Sequence, residues 1–152
     1  MTKKILLFFF TLTLLTNCEY KPIYSDLNKS NYKIIITKTT GDDKFNKYIL
    51  ENLKRGSLEK SNEIINLKID TTFSKIILAK NNAGSITDYQ VKVTSSFEIE
   101  KNENIETLII TEKFNYQKMS DKFEEKNYEQ TIKKNLAMSI AQKLIIRLSV
   151  IK

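Results

Sequence analysis

The chemistry open to this chain is set first by what it lacks. It has no histidine and a single cysteine, Cys18. No Ser-His-Asp triad, Cys-His dyad, histidine-based metal site or internal disulfide can therefore be built from it alone. Carboxylates stand in pairs at Asp42-Asp43 and Glu124-Glu125. Adjacent acids at helix starts serve capping and solvation, because they accept from free N–H groups and suit the positive end of the dipole. They do not suggest the spaced carboxyl pair of a glycosidase. The sequence shows no glycine-rich phosphate loop and no metal-ligand cluster. The expectation is a non-enzymatic protein with no catalytic residues, no metal and no diffusible cofactor. What remains is cationic: 25 Lys and Arg stand against 18 Asp and Glu, a net charge of +7. That balance favours phosphate-bearing or otherwise anionic partners. Two of the basic residues are arginine, Arg55 and Arg147, so lysine carries most of the charge.

Cys18 has chemistry of its own because of where it lies. Lys3 and Lys4 form a positive start, and Ile5 to Leu15 form an apolar run. As a helix that run rises about 16 Å, roughly half the hydrocarbon thickness, so it reads as a signal peptide and not as a spanning helix. Leu15-Thr16-Asn17-Cys18 then resembles a lipobox, the site where bacterial lipoproteins are acylated on cysteine and cleaved before it. Asn17 departs from the usual small residue at that position. A lone thiol in an exported chain has no partner for a disulfide. Covalent acyl and diacylglycerol groups on Cys18 would instead hold the protein at a membrane, at about 0.8 kcal/mol per buried CH₂. The expected organisation is a lipoprotein signal peptide over 1–17, a lipidated extended tether over 18–31, and one α+β domain over 32–152. An export signal also argues against nucleic-acid binding by the lysines and seven tyrosines.

The elements that position these residues can be read from periodicity. Pro22 biases Lys21 towards extended geometry, so 19–31 reads as a tether. Tyr32 to Thr37 is β-branched and aromatic, a strand by composition. Gly41-Asp42-Asp43 opens a helix over about 42–55, with Phe45, Tyr48, Ile49 and Leu53 on one face and Gly56 placed to stop it. Ile65, Leu67, Ile69 and Phe73 alternate as in a half-buried strand. Lys75 breaks that alternation before Ile76-Ile77-Leu78, which predicts a bulge or bend near Ser74. Asn81 to Gly84 is a turn, Tyr89 to Ile99 a long strand, Lys101 to Asn104 a hairpin connection, and about 106–117 a third strand of the same meander. From about Asp121 to Ile151 the period becomes helical, with Tyr128, Ile132, Leu136, Ile140, Leu144 and Leu148 in one stripe.

The order β-α-β-β-β-α predicts an α+β two-layer sandwich: a mainly antiparallel four-stranded sheet with two helices packed on one face. The other face is left open. With 152 residues, 41% hydrophobic and 28% charged, the chain suits one domain with one core, and three glycines and one proline exclude linker-rich readings.

At this point the chain resembles the LptE family of lipopolysaccharide-assembly lipoproteins, in its short alphaproteobacterial form. The resemblance is carried by the lipobox with Cys18-Glu19-Tyr20-Lys21-Pro22-Ile23-Tyr24, by the order of elements, by the strand ending Phe114-Asn115-Tyr116, and by the helix Leu136 to Leu148 with its small residues and closing Arg147-Leu148. Glu19 stands where the family has a small residue, and an acidic residue there can affect sorting between membranes. Asp88 stands where the family often has an arginine. The resemblance implies an outer-membrane lipoprotein that plugs and helps assemble the LptD β-barrel, with its domain on the periplasmic side and within the barrel lumen. It also implies contact with lipopolysaccharide on its way to the cell surface. Read from the residues themselves, odd positions 65, 67, 69 and 89–99 facing the helices would turn Lys68 and Lys92 outward, and Phe114 and Tyr116 pointing inward on the next strand would turn Lys113 outward too. Those lysines are candidate contacts for lipid A phosphates or for acidic residues of the barrel, each as a point charge. The alternative is a generic envelope lipoprotein that scaffolds a different complex or binds a small ligand.

Overall fold

The structure is a computed structural model that describes residues 32–56, 61 and 63–151. The expected signal peptide, Cys18 and the tether lie outside those residues. The described chain runs β1 (Tyr32–Gly41), α1 (Asp43–Gly56), β2 (Glu63–Lys80), β3 (Ile86–Lys101), β4 (Asn104–Gln117) and α2 (Lys122–Val150). This is the expected order of elements. The four strands lie side by side in the order β1-β2-β3-β4.

β2, β3 and β4 form the antiparallel meander, while β1 pairs with β2 in parallel. The sheet is therefore mixed. The parallel step follows from α1, since returning the chain to the same end of the sheet takes a crossover that a tight turn cannot supply. By contrast β3 and β4 are joined through Asn102 and Glu103, both at positive φ (50° and 68°), the two-residue geometry that matches strand twist.

Each helix is started by an aspartate. Asp42 Oδ1 accepts from the Phe45 N–H at 2.8 Å, and Asp121 Oδ1 accepts from Phe123 and Glu124 at 2.7 and 2.9 Å. Asn46, buried on α1, donates from Nδ2 to the Thr40 carbonyl at 2.7 Å and ties the helix to the end of β1. α1 buries Phe45, Ile49 and Leu53, and α2 buries Ile132, Leu136, Ala137, Ile140, Ala141, Leu144 and Leu148. The sheet meets them with Ile65, Leu67 and Ile69 from β2, Val91, Val93, Phe97 and Ile99 from β3, and Ile110 and Tyr116 from β4. Thr71 and Ser95 are the fully buried polar residues of that inner sheet face among the described residues, and their hydroxyls satisfy each other at 2.9 Å.

Two expectations are corrected. β2 is one continuous strand with no irregularity near Ser74; its register shifts instead between Ile77 and Ala79 and between Ala79 and Lys80. Lys75 keeps the inward parity because it has partners under the first turns of α2. Phe114 shares the inward parity of Tyr116 but is 40% exposed.

Candidate functional site on the open sheet face

Alternation along β2, β3 and β4 turns Lys68, Lys92 and Lys113 away from the helices, as expected. The structure then separates them. Lys92 and Lys113 are direct cross-strand partners on β3 and β4. Lys68 partners Glu98, whereas Lys92 partners Ser74 on β2, six residues further along, a distance of about 20 Å.

The two settings differ in charge. Lys68 Nζ lies 2.6 Å from Glu98 Oε1, and that hydrogen bond raises the lysine pKa. Lys92 and Lys113 have no ion-pair partner among the described residues; Ser74, Gln90, Thr94, Thr111 and Asn115 occupy the neighbouring outward positions. Several of these are already hydrogen-bonded: Gln90 donates to Asn115 at 2.8 Å, and the Thr94 and Thr111 hydroxyls share a bond at 3.0 Å. The result is a flat polar patch with two uncompensated ammonium groups.

Apolar surface adjoins it. Ile76 partners Gln90, one outward row beyond Ser74, and is 47% exposed; Ile77 and Leu78 are 50% and 48% exposed. The sequence did signal these residues, as an apolar run without alternation, but it did not place them beside the lysine pair. Near the turn of this hairpin a cleft is lined by Ile86, Thr87, Asp88, Gln117, Lys118, Met119 and Ser120. Asp88 thus stands at the rim of the apolar tip, and the described residues put no arginine there.

On the inner face, Lys75 sits among Tyr89, Tyr116, Glu125 and Glu129. Its Nζ lies 3.8 Å from the Tyr89 ring centre and 2.9 Å from Glu125 Oε1, and it contacts Glu129. Tyr116 donates to Glu129, and Glu125 Oε2 accepts from the Met119 N–H at 3.1 Å. Burial opposes the Lys75 charge, but the hydrogen bonds with Glu129, Tyr116 and Glu125 outweigh it and raise the pKa. Every group in this cluster has a partner within it, which marks it as a brace between β2 and α2. Among the described residues no group of three or more Cys, Asp and Glu side chains could hold a metal ion. No helix among them is long and apolar enough to cross a membrane.

This architecture is shared with solved bacterial lipoproteins. Rare lipoprotein B from Shewanella oneidensis superposes with a TM-score of 0.55 at 11% identity, over 74% of this chain and 92% of that one. Lipoprotein B from Nitrosomonas europaea does so with a TM-score of 0.51 at 13% identity, over 78% and 85%. At such identities the likeness is one of fold. By sequence, no family model and no curated protein matches the chain. The shared fold thus spans 74% and 78% of this chain in the two superpositions.

Proposed function

We propose that this chain is a non-enzymatic lipoprotein of the outer membrane, anchored through acyl groups on Cys18, that plugs and helps assemble an LptD-like β-barrel and contacts lipopolysaccharide. The observation that carries the proposal is the Lys92–Lys113 pair. Like charges directly opposite on a sheet are destabilising by up to about 1 kcal/mol, and no carboxylate among the described residues pairs with them. A phosphate bridging the two ammonium groups removes that repulsion and adds charge-assisted hydrogen bonds. Ile76 and Leu78, exposed beside the pair, offer surface to the apolar part of the same amphiphile. The lipobox at Cys18 and the fold shared with lipoproteins support the anchoring.

Titration of purified protein with lipopolysaccharide tests the binding. Replacing Lys92 and Lys113 together with glutamate is expected to weaken binding about tenfold or more, the equivalent of one or two lost charge-assisted hydrogen bonds. Lys68→Glu, at a lysine already paired with Glu98, is expected to change it by less than about threefold, within the range of an exposed pair. Wild-type affinity in the double variant, or an equal loss in Lys68→Glu, removes the pair from the site.

The barrel contact has a separate test. The full-length protein, purified from envelope membranes in mild detergent, is expected to bring a large β-barrel protein with it in stoichiometric amount. If none accompanies protein whose Cys18 is fully acylated, the plug role fails and a lipoprotein serving a different complex remains.

A further inference from the structure

Among the described residues the sheet leaves three stretches of strand edge unpaired, and two of them are guarded. The outer edge of β1 is bulged between Ile36 and Lys38, and Lys33 and Lys38 lie along it. On β4, Glu106 and Glu112 draw Arg147 and Lys143 of α2 over to them. Bulges and charged side chains are how proteins blunt a strand edge against association.

The third stretch has no such guard. β1 ends at Gly41 opposite Thr71 while β2 runs on to Lys80, so residues 72–80 have β3 on one side and no strand on the other. Gly41, at φ +86°, turns the chain off the sheet into α1, which leaves the place beyond it open. The ladder with β3 is regular as far as Ile77. The Leu67 and Thr71 carbonyls point to the β1 side, since they accept from the Thr37 hydroxyl and the Asp42 N–H. Main-chain groups alternate sides from one residue to the next along such a strand. Phe73, Lys75 and Ile77 therefore turn their N–H and C=O groups to the open edge. Lys75 is exposed as a residue although its side chain is only 29% exposed, so that exposure lies on its main chain.

We propose that this edge accepts an added strand from another protein, an extended and uncharged segment of about five residues. Its neighbours are Phe73 and Ile77 on the helix side and Ser74 and Ile76 on the open side, with Lys75 held by Glu125 and Glu129. Aliphatic and β-branched residues suit those positions. The chain itself cannot supply the strand. Tyr32 stands opposite Glu63, and Phe73 is ten residues further on, about 33 Å away. Covering that distance takes about ten of the fourteen residues from Cys18 to Asn31, which leaves too few to pair. The link from Gly56 to Glu63 spans at most about 25 Å and leaves from the far end of the sheet. A second copy fits poorly, because the antiparallel register that uses all three residues sets two Lys75–Glu125–Glu129 clusters of equal net charge side by side. A bilayer fails for another reason: hydrocarbon cannot satisfy the free N–H and C=O groups. In a closed barrel every wall strand is already paired, so there a loop or terminus supplies the segment. The added strand lies on the side of β2 away from β3 and leaves Lys92 and Lys113 uncovered.

Hydrogen exchange read residue by residue in the full-length protein tests this. In envelope membranes the amides of Phe73, Lys75 and Ile77 are expected to exchange at least tenfold more slowly than in the same protein purified free of its partners. The amides of Ser74 and Ile76, which face β3, are expected to match in the two preparations. Ile77→Pro is expected to melt with the wild type, because its N–H faces the free edge, and to lose the slowing at Phe73 and Lys75. If that variant fails to fold, the wild-type comparison decides alone. Equal exchange of the three amides in the two wild-type preparations overturns the proposal. Slowing that the purified protein acquires by itself on concentration overturns it in favour of a second copy. Slowing produced by vesicles of phospholipid and lipopolysaccharide alone overturns it in favour of lipid.

Discussion

Gly41→Ala is expected to destabilise the protein by about 3 kcal/mol or more, the largest effect of any small substitution in the fold. Gly41 ends β1 at φ +86°, and a Cβ there would stand 2.0 Å from the Thr71 carbonyl oxygen. The left-handed backbone accounts for about 1 kcal/mol of the cost. The collision accounts for the rest, because the obstructing atoms are backbone and cannot rotate away. Thr71 is buried in the middle of β2, paired with Ser95 on β3 and with Gly41 itself on β1. The Asp42 N–H also donates to the same Thr71 oxygen at 2.8 Å, so a shift there disturbs the start of α1 as well. Gly84 supplies the control. It has a similar φ of +79° but nothing within 4 Å of an added Cβ, so Gly84→Ala is expected to cost about 1 kcal/mol. Thermal melts should separate the two by roughly 8 °C or more for a domain of this size. Melts that coincide would show that β1 and β2 do not approach this closely at Gly41.

That contact illustrates which parts of the fold were legible in the sequence. Local signals were: Asp42 and Asp121 cap the helices they were expected to start, and the stripe from Ile132 to Leu148 is the buried face of α2. Alternation also placed the inward set Ile65, Leu67, Ile69, Val91, Val93, Phe97 and Ile99. The parallel direction of β1 relative to β2 follows from the helix between them, whose length makes a crossover and not a tight turn. Lys75 was read as a break because a charge at an inward position has no local explanation. Its explanation is fifty residues away, in Glu125 and Glu129.

The candidate site was legible to the same degree. Parity alone turns Lys68, Lys92 and Lys113 to the open face. Register decides which of them act together, and register across β2, β3 and β4 depends on where the turns close. The Lys101–Asn104 turn sets Lys92 opposite Lys113, and the Asn81–Ser85 turn, with its shifts near Ala79, sets Lys68 opposite Glu98. A one-residue difference in either turn would have produced another set of neighbours with the same composition.

Lys75→Met is expected to cost about 2 kcal/mol at neutral pH and to flatten the loss of stability in acid. The magnitude lies between an exposed ion pair, worth up to about 1 kcal/mol, and a buried one, where removing one partner costs about 3–5. The side chains of Lys75, Glu125 and Glu129 are 29%, 16% and 23% exposed, which sets them between those limits. The hydrogen bond from Lys75 lowers the Glu125 pKa below its ordinary 4.5, with the Met119 N–H assisting. A carboxylate held low in the folded state stabilises it above the unfolded pKa, and that stability is lost as pH falls through the folded value. Glu112 is also lowered: burial opposes its charge, but Lys143 and Ser139 outweigh it. The wild type should therefore lose stability below about pH 4.5, and Lys75→Met should retain the Glu112 part of that slope while losing the Glu125 part. In alkali the signs reverse. Lys75 is raised above 10.5, Tyr116 above 10.0 by burial and by its bond to Glu129, and Tyr32 to about 12 by burial. Their contributions are complete below the unfolded values and fade as pH rises past 10. Urea unfolding of both proteins at pH 3.5, 7 and 10.5 measures these slopes, and Lys75→Met combined with Glu129→Gln should recover part of the neutral loss. An acid slope identical in Lys75→Met and wild type would mean that Lys75 does not hold Glu125, and that the brace between β2 and α2 rests on Tyr116 and its aromatic neighbours.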